Sequence, residues 1–182
     1  MSRVCVFFAE GFEEVEALTP VDLLRRAGIS VSMVSIGETL TVTGRSGITV
    51  VADSLLSETT FDDTEMLVLP GGMPGTKYLG ECETLTARVR AFAESPEKKI
   101  AAICAAPTVF GQLGLLNGRK ACCYPGLEGK LAGAEVSYED VVTDGNITTS
   151  RGAGTAKAFA LRLIAELTDE ETAEKVRAGI MG

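Results

Sequence analysis

Apolar runs and helix-spaced segments alternate along this chain. The first run, Val4-Cys5-Val6-Phe7-Phe8, is continuous, the pattern of a strand buried on both faces of a parallel sheet. After the loop Ala9-Glu10-Gly11-Phe12, residues 13–28 carry a helical pattern with Val21, Leu24 and the stem of Arg25 on the apolar face. Glutamates fill its first turn and arginines its last, both favourable to the helix dipole, and Gly28 stops it. Pro20 interrupts this helix and predicts a kink. Residues 29–36 read as the second strand, residues 40–51 as a short hairpin around Gly44 and Gly47, and residues 66–69 as a further strand. A polar-apolar helix over 83–93 closes at the turn Ser95-Pro96-Glu97, and an apolar strand then ends at Ile103. Beyond it the pattern predicts a helix over 108–113, a short strand over 120–124, extended pieces over 133–136 and 141–142, and a turn at Asp144-Gly145-Asn146 leading into residues 147–150. Thr155 stands as the cap of a helix over 156–167, and Thr168, with Glu171 three residues on, as the cap of a last helix over 169–178. Strand and helix alternating at this spacing make a three-layer α/β domain, and 182 residues suit one such domain spanning 1–182.

The sharpest local signal is Lys99-Ile100-Ala101-Ala102-Ile103-Cys104-Ala105-Ala106-Pro107-Thr108, where an apolar run ends on a cysteine and a helix-like sequence begins at once. A strand passing straight into a helix turns sharply, leaving the residue at the turn exposed beside unpaired N–H groups. Cys104 is that residue; the alanines on both sides permit the turn, and Pro107 takes a first-turn position that needs no donor. Helix N-terminal N–H groups and their dipole favour the thiolate, which is the nucleophilic form. The same residue types also suit a cysteine buried as a small apolar side chain, so a reactive and an inert Cys104 both stay open. The glycine-rich loop Pro70-Gly71-Gly72-Met73-Pro74-Gly75 has neither the order of a dinucleotide fingerprint nor the lysine of a P-loop. In an open parallel sheet the strand ends at Phe8, Leu69 and Ile103 converge on one crevice. Gly71 and Gly72 then serve either the turn itself or a close backbone approach to the strand end that carries Cys104.

Composition narrows the chemistry. A formal charge of −8 with no basic run argues against nucleic acid or an anionic membrane as partner. The N-terminal apolar run is too short for a signal sequence and no apolar span approaches membrane length, so a cytoplasmic protein is expected. The five cysteines, Cys5, Cys82, Cys104, Cys122 and Cys123, are odd in number and lack any CxxC spacing, the pattern of free thiols. Histidine is absent, which removes Cys-His and Ser-His-Asp arrangements and histidine-containing zinc sites; neither a metal nor a cofactor is expected. Glu16 is the candidate acid or base for Cys104. A carboxyl buried beside an incipient thiolate has its pKa raised and donates a hydrogen bond to sulfur while protonated. The alternative is that Glu13, Glu14 and Glu16 only form a solvated first helical turn.

Five motifs in order, Ala9-Glu10-Gly11-Phe12-Glu13-Glu14-Val15-Glu16, Pro20-Val21-Asp22-Leu23-Leu24-Arg25-Arg26-Ala27-Gly28, Leu69-Pro70-Gly71-Gly72, Ala101-Ala102-Ile103-Cys104-Ala105-Ala106-Pro107 and Thr149-Ser150-Arg151-Gly152-Ala153-Gly154-Thr155, resemble the ThiJ/PfpI superfamily, in the branch of the parkinsonism-associated protein and its bacterial relatives. The resemblance covers nearly the whole chain. It implies a flavodoxin-like α/β/α sandwich with a mostly parallel sheet, a homodimer, Cys104 at a nucleophile elbow, Glu16 hydrogen-bonded to its sulfur, and Gly72 and Ala105 N–H groups at the oxyanion-hole positions.

The departures from the family pattern are equally informative. Ala105 follows the elbow where the superfamily's peptidases and amidotransferases depend on a histidine, which argues against those activities. Tyr124 precedes Pro125 where close relatives commonly keep a histidine, and a tyrosine, with a reference pKa of about 10, is a poor base at neutral pH. In Gly44-Arg45-Ser46-Gly47 the arginine comes one residue earlier than in the relatives' Ser-Arg-Gly, leaving open whether Arg45 reaches the site across a dimer. The resemblance implies cofactor-independent glyoxalase or deglycase chemistry on a small aldehyde, dicarbonyl or early glycation adduct, with Cys104, Glu16, Gly72, Ala105 and Tyr124 as site residues. The alternative it carries is a redox-sensing or chaperone-like homodimer with little turnover.

Overall fold

Val4–Phe8 forms the central strand, and its strict alternation decides the layering: Val4, Val6 and Phe8 enter one core, Cys5 and Phe7 the other. The computed structural model describes residues 3–182. In chain order the elements are β1 (Val4–Phe8), α1 (Glu14–Arg26), β2 (Val31–Ser35), the hairpin β3 (Thr41–Thr43) and β4 (Thr49–Val51), β5 (Ser54–Leu55), β6 (Met66–Leu69), α2 (Gly75–Glu81) and α3 (Glu83–Glu94). They continue with β7 (Lys99–Ile103), α4 (Pro107–Gln112), β8 (Lys120–Ala121), β9 (Glu135–Val136), β10 (Val141–Asp144), β11 (Ile147–Ser150), α5 (Ala156–Leu167) and α6 (Glu170–Gly179).

Seven strands make the main sheet in the order β10-β11-β7-β6-β1-β2-β5, parallel throughout except for the antiparallel β10–β11 pair. Helices α1, α5 and α6 cover one face through Val21, Leu24, Phe159, Leu163 and Val176. Helices α2, α3 and α4 cover the other through Leu79, Leu85, Val89 and Phe110. The result is the mostly parallel α/β sandwich expected from the alternation. Since β1, β6 and β7 are neighbours, their C-terminal ends do converge, as the crevice rule requires.

Several local expectations change. Helix α1 runs through Pro20, which is buried, so the proline does not end it. The strand expected over 120–124 stops at Ala121, because the Cys122 N–H turns to the Thr149 hydroxyl at 3.0 Å instead of a strand partner. Asp169, not Thr168, caps α6: its carboxylate accepts from the Thr172 N–H at 2.7 Å, while the Thr168 hydroxyl donates back to the Ile164 carbonyl. Thr155 stands at the N-cap position of α5, but its hydroxyl bonds within the Ser150–Thr155 turn and not to the helix. Helix α2 and strand β5 have no counterpart in the predicted elements; α2 begins on a glycine with no capping side chain. Among the described residues no helix is long and apolar enough to cross a membrane.

Val21 is 5% exposed and lies in the core beneath α5, so its face of α1 is used within the protomer. Val21→Asp is therefore expected to destabilise the protomer itself. The cost should be on the order of 3 kcal/mol, read as a lower urea midpoint at an unchanged slope.

Candidate active site

Three chain crossings build the site. At the end of β1 the backbone turns through Gly11 and Phe12, and the Glu13 N–H donates to the Gly71 carbonyl at 2.9 Å, tying the start of α1 to the loop after β6. Glu13 caps α1 by accepting the Glu16 N–H at 2.7 Å. One helical step on, Glu16 points inward and is 1% exposed. Its carboxylate accepts the Gly71 N–H at 3.0 Å and shares a hydrogen bond with the Cys104 thiol. Gly71 has to be glycine: a Cβ there would overlap the Glu16 carboxylate and lie 2.7 Å from the Cys104 Cβ. Both readings of this loop are realised, at different residues: Gly71 makes the close approach to the strand end carrying Cys104, and Gly72, at φ = +93°, makes the turn.

Cys104 adopts φ = +66°, the left-handed region that a side chain occupies only under strain. Hydrogen bonds on both sides hold it there: its N–H donates to the Ser150 carbonyl at 2.9 Å, and its carbonyl accepts the Tyr124 N–H at 2.8 Å. The N–H groups of Ala105 and Gly72 point at the sulfur. The elbow is thus present, but the expected exposure is not. Cys104 is only 9% exposed, because Gly71, Glu16 and the Tyr124 segment close over it.

Burial reverses the expected acidity as well. The Cys104 thiol is pushed up, first by desolvation, then by the Glu16 charge and hydrogen bond; the Ala105 and Gly72 N–H groups oppose the rise without overcoming it. Burial likewise lifts Glu16 to about 7, with the Glu13 charge adding to the rise and the Cys104 hydrogen bond, the Gly71 N–H and Arg45 offsetting part of it. The two groups form one titrating unit that gives up its first proton near neutrality and holds the second to high pH. In the singly protonated unit the remaining proton stays on the Cys104 sulfur, because burial and the Glu16 charge outweigh the N–H donors there, and Glu16 carries the charge.

The remaining candidates divide. Arg45 of the same protomer is close enough for its charge to lower the Glu16 pKa slightly. It sits on the β3–β4 turn, which Glu14 anchors by accepting the Ser46 N–H at 2.7 Å. Against burial, the N–H groups of Glu14, Ser46 and Ile48 hold the Glu14 carboxyl below its usual range. Tyr124 is half exposed at the rim and belongs to the site through its ring. A Cβ at Gly152 would lie 3.5 Å from that ring and 3.8 Å from the Glu16 carboxylate, so Gly152 keeps the space between them open. The approach of Gly71 to Cys104 follows from the convergence of strand ends, whereas Gly152 is legible only as a glycine within a motif, and nothing in its sequence spacing points to the contacts it makes.

The raised Glu16 pKa has a definite sign. A carboxyl whose folded pKa lies above its unfolded value adds stability below about 4.5 that is lost as pH rises through about 7. Glu16→Gln should therefore be more stable than the parent at pH 8 by roughly 2–3 kcal/mol, with the gap closing toward pH 4, as followed by chemical denaturation. In the same pair of proteins, alkylation of Cys104 should rise through a midpoint near 7 in the parent, where Glu16 ionises and becomes able to take the thiol proton as sulfur attacks. In Glu16→Gln that midpoint should move to higher pH, and equal profiles would show that the two groups titrate independently.

Residues 2–166 match the DJ-1/PfpI family model. The chain is 40% identical to Protein DJ-1 homolog B of Arabidopsis thaliana over 176 residues, 96% of this chain and 40% of that protein, so it spans less than half the length of that relative. It is 33% identical to a Pyrococcus abyssi protein named a deglycase, covering 86% of this chain and 94% of that one. The solved structure of oxidized Toxoplasma gondii DJ-1 superimposes with a TM-score of 0.94 at 36% identity, covering 100% of this chain and 98% of that one. The elbow cysteine, the buried glutamate and the fold around them accord with these similarities: the chain belongs to the DJ-1/PfpI family.

Proposed function

We propose that this protein is a cofactor-independent glyoxalase or deglycase acting on small dicarbonyls or early glycation adducts. The family relationship, which includes a named deglycase, supports chemistry of this general kind. The observation that supports the specific mechanism is the Glu16 carboxyl buried against the Cys104 thiol beside the Gly71–Gly72 loop, with the Gly72 and Ala105 N–H groups near the sulfur. The Cys104 sulfur adds to the aldehyde carbon of methylglyoxal, the oxygen takes the proton from Glu16, and a hemithioacetal forms under the Gly72 and Ala105 N–H groups. Glu16 then removes the proton on that carbon and delivers it to the neighbouring one through an enediol, while the hydroxyl proton passes from the first oxygen to the second, giving a lactoyl thioester. Water hydrolyses the thioester to lactate and restores the thiol. The overall change adds one water to methylglyoxal and is redox-neutral. Tyr124, at the rim, orients the substrate.

Steady-state methylglyoxal loss and lactate formation, without glutathione, test this reading. Cys104→Ser should abolish turnover, and Glu16→Gln should lower kcat roughly 100-fold or more. Tyr124→Phe should lose less. The Cys104→Ser/Glu16→Gln double variant should be hardly worse than Cys104→Ser, as for groups serving one step. Full activity in a folded Glu16→Gln protein would overturn the mechanism.

A redox role is the second reading, favoured by the oxidized form of the Toxoplasma relative and by the same N–H donors, which would also hold a sulfinate. Limited peroxide should then oxidise Cys104 before Cys82, Cys122 or Cys123, as read by peptide mass spectrometry, and should halt dicarbonyl turnover. We also infer a homodimer. Glu14 ties the β3–β4 turn to the start of α1, which places the exposed side chains of Val15 and Ile48 on neighbouring surface. Ile48→Asp should shift sedimentation toward monomer while leaving the fold intact; a parent protein that is monomeric at micromolar concentration would refute the dimer.

A further inference from the structure

A cleft of about 650 Å³ opens between α2, α4 and the segment from Leu127 to Ala132. Ala105 lines one end of it, so the cleft begins at an N–H donor of the Cys104 site and runs away from the reacting atoms. Its walls are fixed in advance. Gly111 lets the 130–132 backbone press against α4, since a Cβ there would fall 3.0 Å from both the Ala132 nitrogen and the Leu131 Cα. Leu131 itself is buried. Such a volume lies within the range of about 300–1,000 Å³ usual for small-molecule sites and far exceeds what methylglyoxal fills.

One further observation gives the cleft a chemistry. At the wall, Lys77 is paired with Glu81 at 3.8 Å, whereas Lys130 enters no ion pair among the described residues. The lining is otherwise largely apolar, with Met73, Val109 and Leu127 contributing. A net −8 chain therefore presents, beside its reactive cysteine, an apolar channel with one free cation.

We propose that this cleft is a substrate-chain subsite: it receives the part of an aldehyde or α-oxoaldehyde beyond the reacting carbonyl, an apolar chain or ring ending in a carboxylate that meets Lys130. The inference rests on Cys104 as the reacting thiol. It sets the substrate class as carboxylate-bearing carbonyl compounds larger than methylglyoxal, with the carbonyl at Cys104 and the apolar portion over Val109 and Leu127.

Gly129 supplies a clean probe, since a Cβ there meets nothing within 4 Å and its backbone needs no left-handed angle, so Gly129→Leu narrows the cleft without strain. Calorimetry with 4-phenylbutanoate, which cannot react, should show saturable binding to the parent that weakens by about tenfold or more in Gly129→Leu. In Lys130→Met the carboxylate should lose a similar factor while 4-phenylbutan-1-ol binds as before. In turnover, Gly129→Leu should keep its kcat/KM for methylglyoxal and lose about tenfold or more for 4-carboxyphenylglyoxal. Absent binding to the parent, or equal binding to Gly129→Leu, overturns the subsite, and equal carboxylate binding to Lys130→Met overturns the assignment of the anionic end. Parallel loss of both substrates in Gly129→Leu also overturns it. A parent that binds 4-phenylbutanoate in this pattern but consumes no methylglyoxal would refute the glyoxalase reading while leaving the cleft as a carboxylate-chain site.

Discussion

Everything around the reactive cysteine depends on burying one carboxyl against one thiol. Glu16 and Cys104 come from opposite ends of the sequence interval between β1 and β7, and they meet only because β6 lies between those strands and its following loop has no side chain at Gly71. Two negative charges cannot share such a place, so the pair keeps a proton between them near neutral pH. A proton held in common by a nucleophile and a carboxyl is what a transfer between adjacent carbons uses. The same burial raises both groups and strains Cys104 into the left-handed region, and the surrounding hydrogen bonds to Ser150 and Tyr124 absorb that cost.

The three glutamates in the first turn of α1 show how helix phase distributes one residue type among distinct tasks. Glu13 caps the helix, Glu14 reaches across to the β3–β4 turn, and Glu16 faces the sulfur. Glu14 thereby fixes the turn that carries Arg45, whose positive charge holds the Glu16 pKa lower than burial alone would leave it. The electrostatics of the site are set by backbone N–H groups and by one distant arginine, in a chain with no histidine to do either job.

On the far side of the elbow the structure is more open. Helices α2 and α4 stand apart over a cleft that shares Ala105 with the reaction site, and Gly80 and Gly129 keep its walls bare. Tyr124 and Gly152 border the opposite rim. A tightly packed, buried pair at β1, β6 and β7 thus lies beside a roomier cleft.

How much of this was legible depends on the range of the interaction involved. The continuous apolar strands Val4–Phe8 and Met66–Leu69, the α1 termini, and the abrupt strand-to-helix passage at Cys104 are local patterns, and they determined the sandwich and the elbow and named Glu16 and Cys104 as candidates from sequence alone. Where short-range competitors existed, locality failed: Asp169 displaced Thr168 as a cap because its carboxylate reaches the Thr172 N–H, and Cys122 left its strand for the Thr149 hydroxyl on β11. The exposure and acidity of Cys104 were beyond any local reading. They follow from desolvation by segments 16, 71–72 and 124, whose distances from Cys104 are set by strand order and not by sequence spacing. Sequence by itself determined which groups could react; only the tertiary structure decided that they are buried together and share a proton, because burial is a property of neighbours that the chain brings together from far apart.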